Sequence, residues 1–317
     1  MMRIVALVPG GICEQILFFP SLNDLKKAFP ATEIDVVVEP KARGAYRVCQ
    51  AVRDTIPFNF ADRNSLADWS NLLGVLRDRE YEAAISLDSD LGTNLVLWLT
   101  GIPTRIGYST SSGSFLLTST IPFKSQQMVA HRYHDLLRGL GLATPCSELS
   151  INVPRTDIDW SESEQKSLSI QDSGYVLVHP GSGQPNSDSF YATDNWQVIV
   201  KDFQNRQPKL PIVLVRTPTN DAQVQTIAEA CPGSKTTVGS DIGKLAATIA
   251  GANLLISPDT SAIALAAALQ VPTVGLFGST DAQKLFPSSH KLTVVQSPSG
   301  QLSDIYPQML LEQVWKG

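Results

Sequence analysis

The chain has 317 residues, 43% hydrophobic and 17% charged, with a net charge of −5. That composition excludes disorder and fibre, leaves room for two domains with sizeable cores, and offers no overall attraction for nucleic acid or anionic lipid. Cys13, Cys49, Cys146 and Cys231 form no CxxC pair, which argues against a metal site and for free thiols in a reducing cytoplasm.

The first segment, RIVALV (residues 3–8), reads as a buried strand. MMRIVALVPGGICEQ has the outline of a short signal peptide, but Pro9-Gly10-Gly11 cuts the apolar run and Glu14 follows. Ile12 also stands before Cys13 where a lipoprotein signal needs a small residue. No uncharged run reaches membrane-spanning length. LNDLKKAF (22–29) reads as an amphipathic helix with Leu22, Leu25 and Phe29 on one side, and EIDVVVE (33–39) as a strand. RGAYRVCQAV (43–52) reads as a helix and TIPFNF (55–60) as a short strand. WSNLLGVLRDREY (69–81) follows as a helix, EAAISLD (82–88) as a strand, and TNLVLWLTG (93–101) as an apolar helix ending at glycine. RIGYS (105–109) opens an irregular stretch before a helix at HRYHDLLRGLGL (131–142).

The stretch 151–171 is polar, contains Pro154, and has weak periodicity, so it reads as the seam between two domains, 1–153 and 154–317. The rhythm then restarts. YVLVHPGSG (175–183) is a strand running into a glycine turn, NWQVIVKDFQNR (195–206) a helix, LPIVLVRT (210–217) a strand and DAQVQTIAEAC (221–231) a helix. IGKLAATIAGA (242–252), NLLIS (253–257), AIALAAALQ (262–270) and PTVGLFG (272–278) alternate in the same way. YPQMLLEQVWK (306–316) is a last helix, free to pack back on the N-terminal domain. Strands without polar interruption, joined by helices, imply parallel sheets covered on both faces. The expected fold is therefore α/β, two Rossmann-like domains.

Ligands of such sheets bind beyond the carboxyl ends of the strands. Four loops lie there. In PGGICE, the glycines let backbone approach a ligand and the helix start offers amides to an anion, with Glu14 beside them; equally, the turn can be merely tight and Glu14 a helix cap. In HPGSG, Gly181, Ser182 and Gly183 can cradle a phosphate, or form a permissive turn. In SPDTS, Asp259, Thr260 and Ser261 can face a nucleotide, or cap the following helix. FGSTD (277–281) is either a ligand loop or a plain turn. Arg216, ending the LPIVLVR strand, is the best placed cation for a diphosphate; Lys244 and Lys284 read as solvated charges. His131 and His134, one helical turn apart, read as a surface pair and not as metal ligands.

The order of these segments resembles glycosyltransferase family 9, the heptosyltransferase family that builds the lipopolysaccharide core. The resemblance rests on FFPSL, AFP, RIGY, HPGSG followed by NWQ, AGANLLISPDTSAIALAAAL and VPTVGLFGSTD. It implies a type B architecture, with two domains facing across a cleft. The nucleotide-sugar donor, ADP-heptose or similar, would bind the C-terminal domain through Gly181, Ser182, Gly183, Asp259, Thr260, Ser261 and Arg216. A glycan or lipid-linked acceptor would bind the N-terminal domain, where Glu14 would act as base in an inverting displacement without a metal or other cofactor. The protein would be cytoplasmic, with peripheral association at the inner membrane compatible with a lipid-linked acceptor.

This chain departs from the family pattern at several positions. Glu14 stands for an aspartate, and Asp194 before Asn195-Trp196-Gln197 stands where a lysine precedes Trp-Pro. Ser261 replaces a glycine, Ala264 a histidine, and Gly92 or Thr93 a basic residue. These losses motivate an alternative, a catalytically degenerate member that binds or assembles with a protein partner. A non-hydrolysing nucleotide-sugar epimerase is a third, weaker reading because its His and acid pairs are absent.

Overall fold

The computed structural model describes residues 2–60, 64–171, 173–239, 241–258, 261–286 and 291–316. The chain forms two compact units, Met1–Asn152 and Val153–Gly317.

In the first unit the order is β1 (Arg3–Val8), α1 (Ile12–Ala28), β2 (Glu33–Val38), β3 (Asp54–Pro57), α2 (Leu66–Asp78), β4 (Ala83–Ser86), α3 (Leu91–Thr100), β5 (Thr104–Tyr108), β6 (Ser119–Ile121) and α4 (Val129–Asp135). The six strands pair in the order β3-β2-β1-β4-β5-β6, all parallel. β1 and β2 run in register from Arg3 opposite Glu33 to Val8 opposite Val38, and all but the first residue of each is buried. Helices on both faces explain why β1 reads as an apolar run after Arg3 and why β2 is apolar apart from Glu33 and Asp35.

Asp35 of β2 is buried on the amino-terminal side of this sheet. Its carboxylate accepts from Arg53 Nε at 2.9 Å and Nη2 at 2.6 Å, from Arg79 Nη1 at 2.8 Å, and from Tyr81 Oη at 2.6 Å. Burial raises its pKa, but the hydrogen bonds from Arg53, Tyr81 and Arg79 outweigh it and hold the carboxyl below its usual range. Two arginines and a tyrosine therefore tie β2 to the end of α2 and the start of β3.

The second unit runs α5 (Arg155–Ser167), β7 (Val176–Val178), α6 (Thr193–Arg206), β8 (Ile212–Arg216), α7 (Asp221–Ala230), β9 (Lys235–Val238) and α8 (Ile242–Ala250). It continues with β10 (Leu254–Pro258), α9 (Ser261–Leu269), β11 (Thr273–Phe277), α10 (Ala282–Leu285), β12 (Leu292–Gln296) and α11 (Pro307–Trp315). Its sheet order is β12-β11-β10-β7-β8-β9, again parallel. Trp196 and Phe203 of α6 share one core cluster with the strand residues Val176, Leu214, Ile256 and Leu276.

Both sheets have the doubly wound strand order. The chain reverses between β1 and β4 in one unit and between β7 and β10 in the other, which sets two loop pairs at the switch points.

Several elements differ from the sequence reading. α1 begins at Ile12, ten residues before the expected helix, and runs through Pro20. The proline removes one helical hydrogen bond, yet residues 15–22 are all buried and their packing holds the helix. The stretch 43–52 is not an α-helix; a 3-10 segment covers Pro40–Val48. The polar seam contains α5. β5, read in the sequence as the opening of an irregular stretch, and β6, β9 and β12 are additional strands. The last helix, α11, packs on α6, β11 and β12 of its own unit, with Trp315 Nε1 donating to Asp202 Oδ2 at 2.8 Å and its ring 4.9 Å from Phe203. Its apolar face is thereby used within the second unit.

Candidate active site

In the first unit, the switch point sets the β1–α1 turn beside the β4–α3 loop. Gly10 adopts φ +100°, and a Cβ there would come within 2.8 Å of Glu14 Cγ. Only glycine lets the chain turn this closely past the glutamate stem. Glu14 is the third residue of α1, and its Oε2 accepts from the Gly11 N–H at 2.8 Å. The capping role anticipated for it is thus present. It also fixes a half-buried carboxylate at the carboxyl end of a central strand.

Glu14 has an aromatic neighbour that sequence reasoning missed. Burial first, and then the Glu14 carboxylate, push the Tyr133 hydroxyl of α4 up to about 12, against the pull of Arg132. The Arg132 guanidinium lies 4.6 Å from the Phe123 ring centre and 5.9 Å from that of Tyr133, and its Nε has no hydrogen-bond partner among the described residues. A cation and a carboxylate therefore flank one tyrosine. The only signal in the sequence was RY within a helix read for its histidines.

In the adjoining loop, Asp90 caps α3 by accepting from Gly92 N–H at 2.6 Å. Asp88 accepts from Ser89 N–H at 2.8 Å and from the buried Thr93 hydroxyl. Gly92 and Thr93 thus donate to local acids.

In the second unit, β7 ends in His179-Pro180-Gly181-Ser182-Gly183. Gly181 has φ +82°, and a Cβ there would meet Ser189 O at 2.3 Å and Pro258 Cγ at 2.5 Å. A Cβ on Gly183 would meet Thr219 O at 2.8 Å. The glycines are required by backbone passing close on two sides. Their amides have internal partners: Gly181 N–H donates to His179 Nδ1 at 3.2 Å, and Gly183 N–H to Thr219 O at 3.0 Å. Ser182 is half-buried, and its Oγ accepts from Gln184 N–H at 3.2 Å while keeping a hydroxyl proton to donate.

His179 is buried, and burial pushes its imidazole down to about 4. It is neutral at pH 7, and accepting at Nδ1 assigns its proton to Nε2. Asn220, also missed in the sequence, joins two loops. Its Nδ2 donates to Gly181 O at 3.0 Å and Val215 O at 3.3 Å, while Oδ1 accepts from Thr217 N–H at 2.7 Å. The turn after β7, the loop after β8 and the end of β10 at Pro258 are thus held together. Ser261, at the start of α9, is half-buried. Asp259 and Thr260 lie outside the described residues.

Arg216 is exposed and pairs with Asp221 at 3.3 Å across the β8–α7 loop. Lys244 lies 4.9 Å from the Trp160 ring centre, and Lys284 is 3.9 Å from Asp281. Asp194 lies in the first turn of α6, where the helix dipole favours an acid. Trp196 behind it is fully buried against Tyr191. Ala264 is fully buried in α9.

The two histidines of α4 are not a surface pair. His131 is exposed, but His134 is buried, with Nε2 3.1 Å from Asp24 Oδ2. Burial lowers its pKa, opposed by Asp24. Asp24 also accepts from the Ser147 N–H at 2.9 Å and from its hydroxyl, so this cluster pins a loop onto α1. Among the described residues no group of three or more His, Cys, Asp or Glu could hold a metal ion, and no helix is long and apolar enough to cross a membrane.

A family model described as glycosyltransferase family 9 (heptosyltransferase) matches residues 69–314. The chain is similar to a crystal structure of a glycosyl transferase family 9 protein from Veillonella parvula, with TM-score 0.83 and 19% identity, covering 99% of this chain and 96% of that one. It is similar to Escherichia coli heptosyltransferase WaaC with ADP-2-deoxy-2-fluoro heptose, with TM-score 0.78 and 18% identity over 99% of both chains. Among curated proteins it is 22% identical, over 96% of this chain and 71% of the other, to photosynthetic NDH subunit of subcomplex B 1, chloroplastic, from Arabidopsis thaliana.

Proposed function

The chain belongs to glycosyltransferase family 9, and from that premise we propose that it transfers a sugar, heptose or a close relative, from a nucleotide-sugar donor to a glycan or lipid-linked acceptor in the cytoplasm. The donor binds the second unit. Its diphosphate meets the Ser182 hydroxyl and the start of α9 at Ser261, and Asp259 and Thr260 take hydroxyls of the nucleotide or sugar. The acceptor binds the first unit. The free oxygen of Glu14 takes the proton of its attacking hydroxyl, and the oxygen forms a bond to the anomeric carbon as the nucleoside diphosphate leaves. The donor's anomeric configuration is inverted in that single displacement, without a metal ion. Arg132 supplies the positive charge nearest Tyr133 and Glu14, where an anionic acceptor group would be received. Arg216 belongs to this reading only if it leaves Asp221 for the donor.

The observation that supports the reading most is a carboxylate fixed at one switch point, with a glycine turn pinned at the other, in a chain of this family. Glu14→Gln is the test, because glutamine keeps the N-terminal cap. With ADP-heptose and a lipopolysaccharide-core acceptor, the variant is expected to lose about 10²–10⁴-fold in kcat while ADP-heptose still raises its Tm. Wild-type turnover by the variant would remove Glu14 as the base.

A second reading has its own support. The Gly181 and Gly183 amides already have internal partners, Asp194 stands where the resemblance implies a lysine, and Ala264 is sealed in the core. One similar protein is named as a subunit of a photosynthetic NDH subcomplex. On this reading the chain binds or assembles with a protein partner and performs no transfer. Wild-type protein inert toward every nucleotide sugar would favour it.

A further inference from the structure

A helix that is apolar all round is normally buried on every side. α3 breaks that rule. It contains no Asp, Glu, Lys or Arg. Thr93, Asn94, Val96 and Leu97 face inward and are buried. Leu91, Leu95, Trp98 and Leu99, spaced i, i+4, i+7 and i+8, form an outer stripe exposed by 40–50%. The 3-10 turn Ser114–Leu116 packs beside α3 and carries Phe115, 83% exposed. Gly113 brings that turn against Leu91: a Cβ there would meet Leu91 Cδ1 at 2.5 Å.

Charge decides what can cover this stripe. Helices that lie on anionic membranes carry Lys or Arg on the flanking face. Here Asp88 and Asp90 stand ahead of the helix, and α2, which packs beside it, carries Asp68 and Asp78 against the single Arg77. The nearest arginine in sequence, Arg105, donates its Nε to Leu116 O at 2.9 Å and its Nη1 to Ile102 O. A lipid surface is thus disfavoured. A second copy of α3 brings no like charge along the helix, and a two-fold axis pairs the stripe with itself. The five side chains expose on the order of 500 Å² of apolar surface, near the apolar share of a standard interface of about 800 Å² per partner.

We infer that α3 is a homodimer interface, with Leu95 and Trp98 at its centre and Leu91, Leu99 and Phe115 around them. Sedimentation velocity of the full chain at tens of micromolar tests this. The wild type is expected to sediment as a dimer. Trp98→Glu should raise the dimer dissociation constant at least about 100-fold with an unchanged far-UV spectrum. Leu95→Cys, oxidised, should give a covalent dimer in excess of that from the wild type, which retains its native cysteines. A monomeric wild type overturns the inference, whether it stays free, floats with phosphatidylglycerol vesicles, or captures a different protein. So does a Trp98→Glu protein that folds and remains dimeric.

Discussion

Glu14 and His179 show how far single residues can be read from sequence. Glu14 is visible because an acid after two glycines at a strand end has few uses, capping or chemistry. Its capping bond to Gly11 is local, so the sequence contains it. Tyr133 and Arg132 come from a helix more than a hundred residues away, and no local pattern announces them. Gly181 is legible as a turn residue but for an incomplete reason. It is fixed by Ser189 and Pro258, whose approach depends on β7 and β10 being neighbours. His179 leads to a prediction with a definite sign. Its folded pKa, about 4, lies below the unfolded value near 6.5. The unfolded chain therefore binds more protons between those values, and the contribution of neutral His179 is complete above about pH 6.5 and falls as pH drops toward 4. His134 is shifted in the same direction. Denaturant melts across pH 7 to 5, above the range where Asp35 and the other depressed carboxylates take up protons, should show stability falling as pH is lowered, through proton uptake on unfolding. His179→Gln should reduce that uptake by about one. A flat stability profile over this range would contradict the burial of both rings.

At the scale of elements, β1, β4, β8, β10 and β11 are readable because largely apolar runs have one use in a doubly wound sheet, and β2 is readable from its valines at 36–38 despite Asp35. The first half of α1 escapes the sequence reading because Pro20 is a strong stop signal, whereas burial of residues 15–22 overrides it. α5 escapes it because its buried residues include Asp157 and Ser161, which carry no apolar periodicity. β9 has only one buried residue, Thr237, and gives no pattern. Polar ties are not readable either. The Asp35 cluster joins β2, the end of α2 and residues near β3 and β4, and its spacing in sequence is irregular. Asp35→Asn should leave Arg53 and Arg79 without their shared carboxylate. Because both arginines are partly exposed, the cost should be about 2–3 kcal/mol in urea denaturation, below that of a fully buried pair. A loss under about 0.5 kcal/mol would show that water replaces the carboxylate freely.

For the whole molecule, two units with the same strand order each place loops at a switch point, and the family match extends across both. The doubly wound architecture is legible from alternating elements. The candidate donor site is legible only in part, since Asp259 and Thr260 lie outside the described residues and the amides of the glycine turn are engaged within the unit. Transfer requires that this turn still receive a nucleotide. The most direct measurement is therefore a thermal-shift titration of the wild type and Asp259→Ala with ADP, ADP-heptose and UDP-sugars. The proposed function predicts that one ADP-containing compound raises the wild-type Tm saturably, with about 2.7 kcal/mol of added stability at a hundredfold excess over Kd, and that Asp259→Ala loses most of that rise. No shift with any nucleotide or nucleotide sugar at millimolar concentration would contradict it.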